Sequence, residues 1–509
     1  MTPFGSVLLA VYALASFALF LYGLNAYVML GLYFRHRTAA RSARRERLDT
    51  FWRTHGEDDL PVVTTQLPIY NERFVAERLL SAAASIDYPL DRHEIQVLDD
   101  STDETEAIVA RVVDRLRAAG HRIEQIRRTD RRGFKAGALA HGLGSASGEF
   151  IAVFDADFIP PKDFLRRTVP FLVLDPTVAM VQTRWGHLNQ SYSLLTAAQA
   201  VGIDGHFVVE QSARTWHGLF MNFNGTAGVW RRAAIDDAGG WQADTLTEDL
   251  DLSYRAQLRG WRMEYLGDVV APSELPVDIN GLKSQQHRWA KGSIQVARKL
   301  LPQVFRSQRS WLVKTEALLH LTHYLIHPLI LIVALLAWPA LTVLSQLRAS
   351  EYVFYATGAF LVISALSPSI LYFQSQRATY PDWRSRVMIL PALVALGIGI
   401  AVSNTRAVVE GLFGRGGDFI RTPKYGVIDA RPGALSPRRT YRVGVGLAPV
   451  LELLLAAYGI VTLVLYAREE RWAALPLLAL NALGFAAVGL LSVLHAWRAR
   501  PLRSRRPAG

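Results

Sequence analysis

Three apolar runs in the first third of the chain end in carboxylates. Pro68-Ile69-Tyr70-Asn71-Glu72 follows the run 62–67, Asp99-Asp100-Ser101-Thr102-Asp103 follows 95–98, and Asp155-Ala156-Asp157 follows 150–154. Each cluster alone is also what a turn selects, because Asp and Ser side chains bond to nearby backbone. Their convergence carries more, since crowded carboxylates repel unless a cation or a donor compensates. Asp155 and Asp157 have the spacing to share a hard divalent ion, Mg2+ or Mn2+, whose other ligands are waters and substrate phosphates. That ion would neutralise charge building on a leaving diphosphate. A second Asp-x-Asp, Asp249-Leu250-Asp251, is not read as a metal site.

Cations and a possible base come next. Arg131-Arg132-Gly133-Phe134-Lys135-Ala136-Gly137 reads as a glycine-containing loop entering a helix. Backbone N–H groups at a helix start favour anions, and Lys135 can add a point charge; a solvated basic loop has the same composition. Thr247-Glu248-Asp249 opens an amphipathic stretch reaching about Arg259. A carboxylate there stabilises a first turn, and Asp249 equally has the chemistry of a general base for a hydroxyl. In Gln285-Gln286-His287-Arg288-Trp289, positions 285, 288 and 289 share one helical face. Arg288 can grip a phosphate with two N–H donors, and the Trp289 indole offers a platform for a ring or an interface anchor. Phe419-Ile420-Arg421-Thr422-Pro423-Lys424 lies among Gly414, Gly416 and Gly417, which suits a loop closing on a ligand or one touching anionic lipid.

Placing these residues needs a scaffold. Runs 62–67, 95–98 and 150–154 read as strands, with helical patterns over 73–85 and 104–118 between them. That alternation predicts a mostly parallel sheet covered by helices, which binds ligands outside the carboxyl ends of its strands. The acidic clusters sit at those ends.

The flanks have another texture. Half of the 509 residues are apolar, and residues 5–34 form an almost unbroken apolar run, longer than the ~20 residues a bilayer needs. Arg35, Arg37, Arg41, Arg44, Arg45 and Arg47 follow it, so the N-terminus is expected outside and residue 35 onward inside. Runs 321–347 with 352–373, and 443–466 with 473–497, read as two hairpins of spans, closed by a basic tail that is expected inside. Run 387–402 is short, broken by Pro391, Gly397 and Gly399, and suits an interfacial or re-entrant helix. A crossing there would put the basic stretch 406–442 outside, so five spans are expected. The net charge of +12 is concentrated in these flanks, which argues for a lipid bilayer and against nucleic acid as the partner. With no cysteine, thiol nucleophiles, thiolate metal sites and disulfides are excluded. A transporter is disfavoured too, because few ionisable residues fall inside the expected spans.

Taken in order, Asp99-Asp100, Lys135 in Phe134-Lys135-Ala136-Gly137, Asp155-Ala156-Asp157, Thr247-Glu248-Asp249 and Gln285-x-x-Arg288-Trp289 resemble the processive membrane glycosyltransferases of family 2. That group includes cellulose, hyaluronan and chitin synthases and the cellulose-synthase-like mannan synthases. Phe223-Asn224-Gly225-Thr226-Ala227-Gly228-Val229-Trp230-Arg231 and Gln285-Gln286-His287-Arg288-Trp289 are closest to the mannan-synthase branch.

The resemblance implies a GT-A-type domain, a Rossmann-like mixed α/β sheet on the cytosolic side, inserted between transmembrane helices. By analogy Tyr70, Glu72, Asp100, Lys135, Asp155, Gln285 and Arg288 would hold a UDP- or GDP-linked sugar, and Asp155 and Asp157 the metal. Asp249 would be the base, Trp289 and Thr226 would meet the glycan acceptor, and Phe419, Thr422 and Lys424 would belong to a gating loop. One base and no evident carboxylate nucleophile imply attack by the acceptor hydroxyl with inversion. The product would be a β-linked polymer, β-1,4 glucan- or mannan-like, passed across the membrane; a single sugar placed on a membrane lipid is the alternative. The short tail leaves out the cyclic-dinucleotide-binding domain of many bacterial cellulose synthases, which counts against cellulose. The expected division is a span to residue 34, a basic linker 35–59, the GT-A domain 60–300, an interfacial helix 301–320, a hairpin 321–373, the interfacial or re-entrant helix with gating loop 374–442, a hairpin 443–497 and a tail 498–509.

Overall fold

The computed structural model describes residues 3–344, 350–414, 422, 424–428 and 446–498. Its catalytic-looking part is one seven-stranded sheet: β1 (Val63–Ile69), β2 (His93–Asp99), β3 (Arg122–Ile126), β4 (Phe150–Val153), β5 (Val178–His187), β6 (Gly228–Arg231) and β7 (Arg262–Ser273). The strand order is β3-β2-β1-β4-β6-β5-β7. β1, β2, β3 and β4 run parallel, β6 is antiparallel to both its neighbours, and β7 is parallel to β5. The sequence motifs predict β1, β2 and β4, whose residues are buried on both faces and so read as continuous apolar runs. Helices cover both faces. Leu79, Leu80, Val109 and Val112 pack on one, and Leu139, Trp230 and Leu252 belong to the core on the other.

Because β1, β2 and β4 are parallel, their carboxyl ends share one edge. Tyr70 follows β1, Asp100 follows β2, and Asp155 lies two residues past β4. The antiparallel β6 is preceded by the Asn224-Gly225-Thr226 turn, which therefore arrives at the same edge beside β4.

Five helices are long and apolar enough to cross a bilayer: Pro3–Thr54, Trp311–Leu344, Phe354–Thr379, Ala448–Arg468 and Trp472–Arg498. The chain is thus an integral membrane protein by length and composition. The stretch 35–59, expected as a linker, is instead helical as far as Thr54, continuous with the first apolar run. The reason is apolar: Phe51 is fully buried in the core of the sheet domain, with Leu48 and Trp52 packed beside it. A side chain of that size buried outright stabilises by roughly 1.5–3 kcal/mol, enough to hold this extension on the domain.

Residues 301–320, expected as an interfacial helix, are divided. The Ile279–Arg306 helix ends, Ser310 caps a new start by accepting from the Val313 N–H, and the next helix runs through a 3-10 turn to Leu344. Run 387–402 falls in two helices, Leu390–Gly399 and Ala401–Phe413, which meet at 46° and form a broken span or a re-entrant loop. At the bend, a Cβ on Gly399 would lie 2.3 Å from the Gly484 carbonyl, so only glycine permits this contact with the last helix.

The Ile279–Arg306 helix connects the two parts of the molecule. Lys283 Nζ lies 2.6 Å from Glu452 Oε1 and 3.2 Å from Ser492 Oγ, all buried. Further along, His287 Nε2 and Lys291 Nζ contact Glu410 Oε2 at 3.1 and 3.2 Å.

Candidate active site

A single cleft gathers the acidic strand ends. Tyr70, Glu72, Asp100, Lys135, Asp155, Asp157, Asp249, Gln285, Arg288, Trp289, Thr422 and Lys424 all line it. Phe419 lies outside the described residues.

Lys135 is the hub. It is the second residue of the Phe134–Ser145 helix, and its Nζ lies 2.5 Å from Asp155 Oδ1, 2.8 Å from the Gly225 carbonyl and 3.9 Å from Glu248 Oε1. Burial works against its charge, but Asp155 and Glu248 outweigh it and hold the ammonium above its ordinary pKa. Lys135 is a cation throughout the neutral range.

Asp249 is the second residue of the Glu248–Leu258 helix, and its Oδ1 accepts from the Leu250 N–H at 2.8 Å. Burial, then the neighbouring Glu248 carboxylate, push its pKa up to about 7, against the pull of Lys135. Burial raises Glu248 as well. Arg288 faces Glu248, Asp155, Asp249 and Asp157, yet burial dominates and leaves its pKa lowered. A carboxylate poised near neutrality inside a cleft of fixed cations is suited to proton abstraction at physiological pH.

Gly225 fixes the spacing. With φ +83 it occupies the left-handed region, and a Cβ there would sit 2.9 Å from Asp249 Oδ2 and 3.3 Å from Lys135 Nζ. Thr226 departs from expectation. It is fully buried, does not line the cleft, and its hydroxyl accepts the Asp155 N–H at 2.9 Å. It positions Asp155 rather than meeting an acceptor.

Beyond β2, Asp100 is held by both ends of the Arg128 guanidinium, Nε to Oδ1 at 3.0 Å and Nη2 to Oδ2. The Arg131 guanidinium lies 3.3 Å over the Tyr70 ring, a cation–π contact that shapes the far wall. On the opposite wall Lys424 Nζ donates to Asp157 Oδ2 and to the Glu274 carbonyl, each at 2.7 Å. Glu274 then accepts the backbone N–H groups of Tyr425, Gly426 and Val427 at 2.7, 2.8 and 3.2 Å.

Glu274 and Arg128 escaped the sequence reading. Neither sits in a short motif, and Glu274 acts on backbone about 150 positions away, so no local signal could mark it. Asp251 is what the sequence suggests, a structural carboxylate: it is fully buried and paired with Arg255 at 2.7 Å and Lys299 at 2.8 Å.

Asp155 and Asp157 supply oxygen donors only, and among the described residues no group of three or more His, Asp or Glu could hold an ion by itself. Such a pair fits a hard divalent cation that brings its own phosphate oxygens and waters, and does not fit a closed site.

Residues 61–292 match the model of the glycosyltransferase-like family 2. This stretch is similar to the family 2 glycosyltransferases. Its seven-stranded mixed sheet agrees with the Rossmann-like mixed α/β sheet expected from the motifs. Across 258 residues the chain is 45% identical to glucomannan 4-beta-mannosyltransferase 2 of Arabidopsis thaliana, a match covering 50% of this chain and 48% of that protein. It is 39% identical over 320 residues to probable glucomannan 4-beta-mannosyltransferase 9 of Oryza sativa subsp. japonica, covering 60% and 61%. The first of these matches thus spans about half the length of the relative. A solved mannosyltransferase of Pyrobaculum calidifontis, in complex with GDP-Man and Mn2+, aligns over 79% of this chain and 99% of its own, at 22% identity and TM-score 0.45. The mannan-synthase likeness of the family 2 motifs agrees with the named relatives.

Proposed function

We propose that the protein is an inverting hexosyltransferase that moves mannose or glucose from a nucleotide sugar to the non-reducing end of a β-1,4 mannan- or glucomannan-like chain. The observation that carries this is the gathering of Asp249, a half-buried carboxylate whose pKa burial and Glu248 push up to about 7, in one cleft with Lys135, Arg288 and Trp289. Asp249 takes the proton of the acceptor hydroxyl as that oxygen attacks the anomeric carbon from the face opposite the diphosphate. An α-linked donor then gives a β-glycoside. Arg288 and Lys135 stabilise negative charge on the departing diphosphate by fixed, desolvated positive charge. Trp289 supports the acceptor ring on its flat face. A divalent ion held by Asp155 and Asp157 would supply further charge neutralisation to the diphosphate. Asp100 and Tyr70, held by Arg128 and Arg131, form the nucleoside side of the cleft.

The loop through Thr422 and Lys424 closes over the donor, with Glu274 as its anchor. The catalytic domain faces the cytosol, where nucleotide sugars are made, and the arginines after the first apolar run support that orientation. The polymer leaves through the bundle of spans. The names of the relatives favour mannose.

The test is direct. Purified full-length protein with Mg2+ or Mn2+ is offered GDP-mannose, UDP-glucose and UDP-N-acetylglucosamine in turn, while nucleotide release and product length are followed. The reading expects a ladder of β-mannosidase-sensitive oligomers from GDP-mannose, and no product from Asp249→Asn. A single glycolipid spot would reassign the acceptor to a membrane lipid, and full turnover by the Asn variant would remove the base.

A further inference from the structure

A second cavity, of about 580 Å³, lies between the long first helix and the sheet domain and shares no lining residue with the cleft of Asp249. Arg41, Arg44, Arg45, Arg167 and Arg184 line it against only two acids, Asp49 and Asp268. Much of this charge is matched: Arg167 and Arg44 pair with Asp268 at 2.7 and 3.7 Å, Arg45 reaches Asp49 at 4.0 Å, and Arg184 reaches Asp204, outside the lining, at 3.9 Å, leaving five arginines against three acids. Arg41 has no ion pair among the described residues.

The cavity's buried polar atoms are unusual. Tyr33 Oη, Tyr265 Oη, Trp216 Nε1, Arg44 Nε and Arg184 Nη1 are all buried without a hydrogen-bond partner, and all five residues line this one space. Tyr33 is 1% exposed and Tyr265 not at all. Every one of the five atoms can donate a hydrogen bond. Buried donors are almost always satisfied in native proteins, and a set of them on residues that line one arginine-rich space is complementary to an anion.

The position tells which anion. Tyr33 stands where the apolar run of the first helix gives way to arginines, and Ala378 and Thr379, also lining, end the candidate span Phe354–Thr379. The cavity therefore lies at headgroup depth. Leu48, Phe171, Val208, Leu266 and Val269 make part of its wall apolar, as an acyl chain requires and a free phosphate does not. We propose that this cavity binds the phosphate of an anionic phospholipid, with the Arg44–Tyr265 side as its donor set.

The experiment uses full-length protein in mild detergent, titrated with phosphatidylglycerol or phosphatidylcholine and followed by native mass spectrometry and thermal unfolding. Wild type is expected to keep one phosphatidylglycerol and to gain more thermal stability from it than from phosphatidylcholine. Arg44→Gln should weaken that titration by about tenfold, the usual consequence of losing a charge-assisted contact. Arg44 also donates to the Tyr265 carbonyl at 2.8 Å, so Tyr265→Phe, which removes only an unpartnered hydroxyl, is the second variant. It should fold at least as well without lipid and still bind phosphatidylglycerol several-fold more weakly. Equal stabilisation by the two lipids, or an unchanged titration in Tyr265→Phe, overturns the proposal. Inorganic phosphate reproducing the effect in detergent alone would assign the site to a soluble anion and overturn the lipid.

Discussion

Lys424 Nζ meets Asp157 Oδ2 at 2.7 Å, although 267 positions separate them in the chain. One of these residues ends the strand edge where the proposed metal binds, and the other belongs to the loop expected to gate the cleft. On the proposed reading, closure of the loop and charge balance at the metal site would be one contact, and Glu274 accepts three backbone N–H groups of residues 425–427.

Glu274→Ala should loosen this loop without touching Asp249. Steady-state kinetics are expected to show the donor KM raised about tenfold, the equivalent of one charge-assisted contact, with a smaller change in kcat. Limited proteolysis near residue 424 should become faster and be slowed again by saturating nucleotide sugar. An unchanged KM would remove the loop from donor binding.

Gly225→Ala tests the packing of base against cation. The new methyl would enter the 2.9 Å space beside Asp249 Oδ2 in a backbone region that disfavours side chains. Displacing the base by about 1 Å is expected to lower kcat by about a hundredfold, while unfolding temperature falls only modestly. Wild-type turnover would show that the base tolerates displacement.

The pH dependence follows from Asp249. Burial and Glu248 raise its pKa to about 7, and the base acts only as carboxylate, so kcat/KM should fall about tenfold per pH unit on the acid side of that value. Stability runs the other way. The folded pKa lies above the unfolded value of about 3.9, so the native state binds the extra proton and loses stability as pH rises between those two values, with no further change above about 7. Asp249→Asn removes this penalty. The variant should be inactive yet unfold at a higher temperature than wild type at pH 8, a gain that vanishes by pH 4; differential scanning calorimetry at the two pH values decides it.

Lys283 and Glu452 tie the helix of Arg288 and Trp289 to the spans. Either single replacement, Lys283→Met or Glu452→Leu, leaves an uncompensated buried charge and should cost about 3–5 kcal/mol. The double variant should recover most of that stability in a double-mutant cycle. Additive losses would mean that the pair does not act as one unit.

Much of the site was legible because short, local patterns encode it. A parallel strand buried on both faces must be an apolar run, and polar residues at its end must lie at the ligand edge, so Asp100, Asp155 and Asp157 could be read directly. Helix periodicity likewise put Gln285, Arg288 and Trp289 on one face. Uninterrupted hydropathy marked the first span and the two hairpins, because a bilayer imposes a length and forbids charge.

What the linear pattern left open was every relationship between distant segments. Thr226 matched a motif, but only the pairing of β4 with β6 turned its hydroxyl onto the Asp155 backbone instead of the cleft. Arg128 and Glu274 carry no local signature, since their partners are Asp100 and a loop far along the chain. The basic stretch after the first span looked like a linker, and it became a docked helix only because Phe51 found the core of the sheet domain. Composition and periodicity decide which residues sit at strand ends, on helix faces and in the bilayer, because those are properties of neighbours in the chain. Which charge faces which is decided by packing, because electrostatic partners are chosen by distance in space.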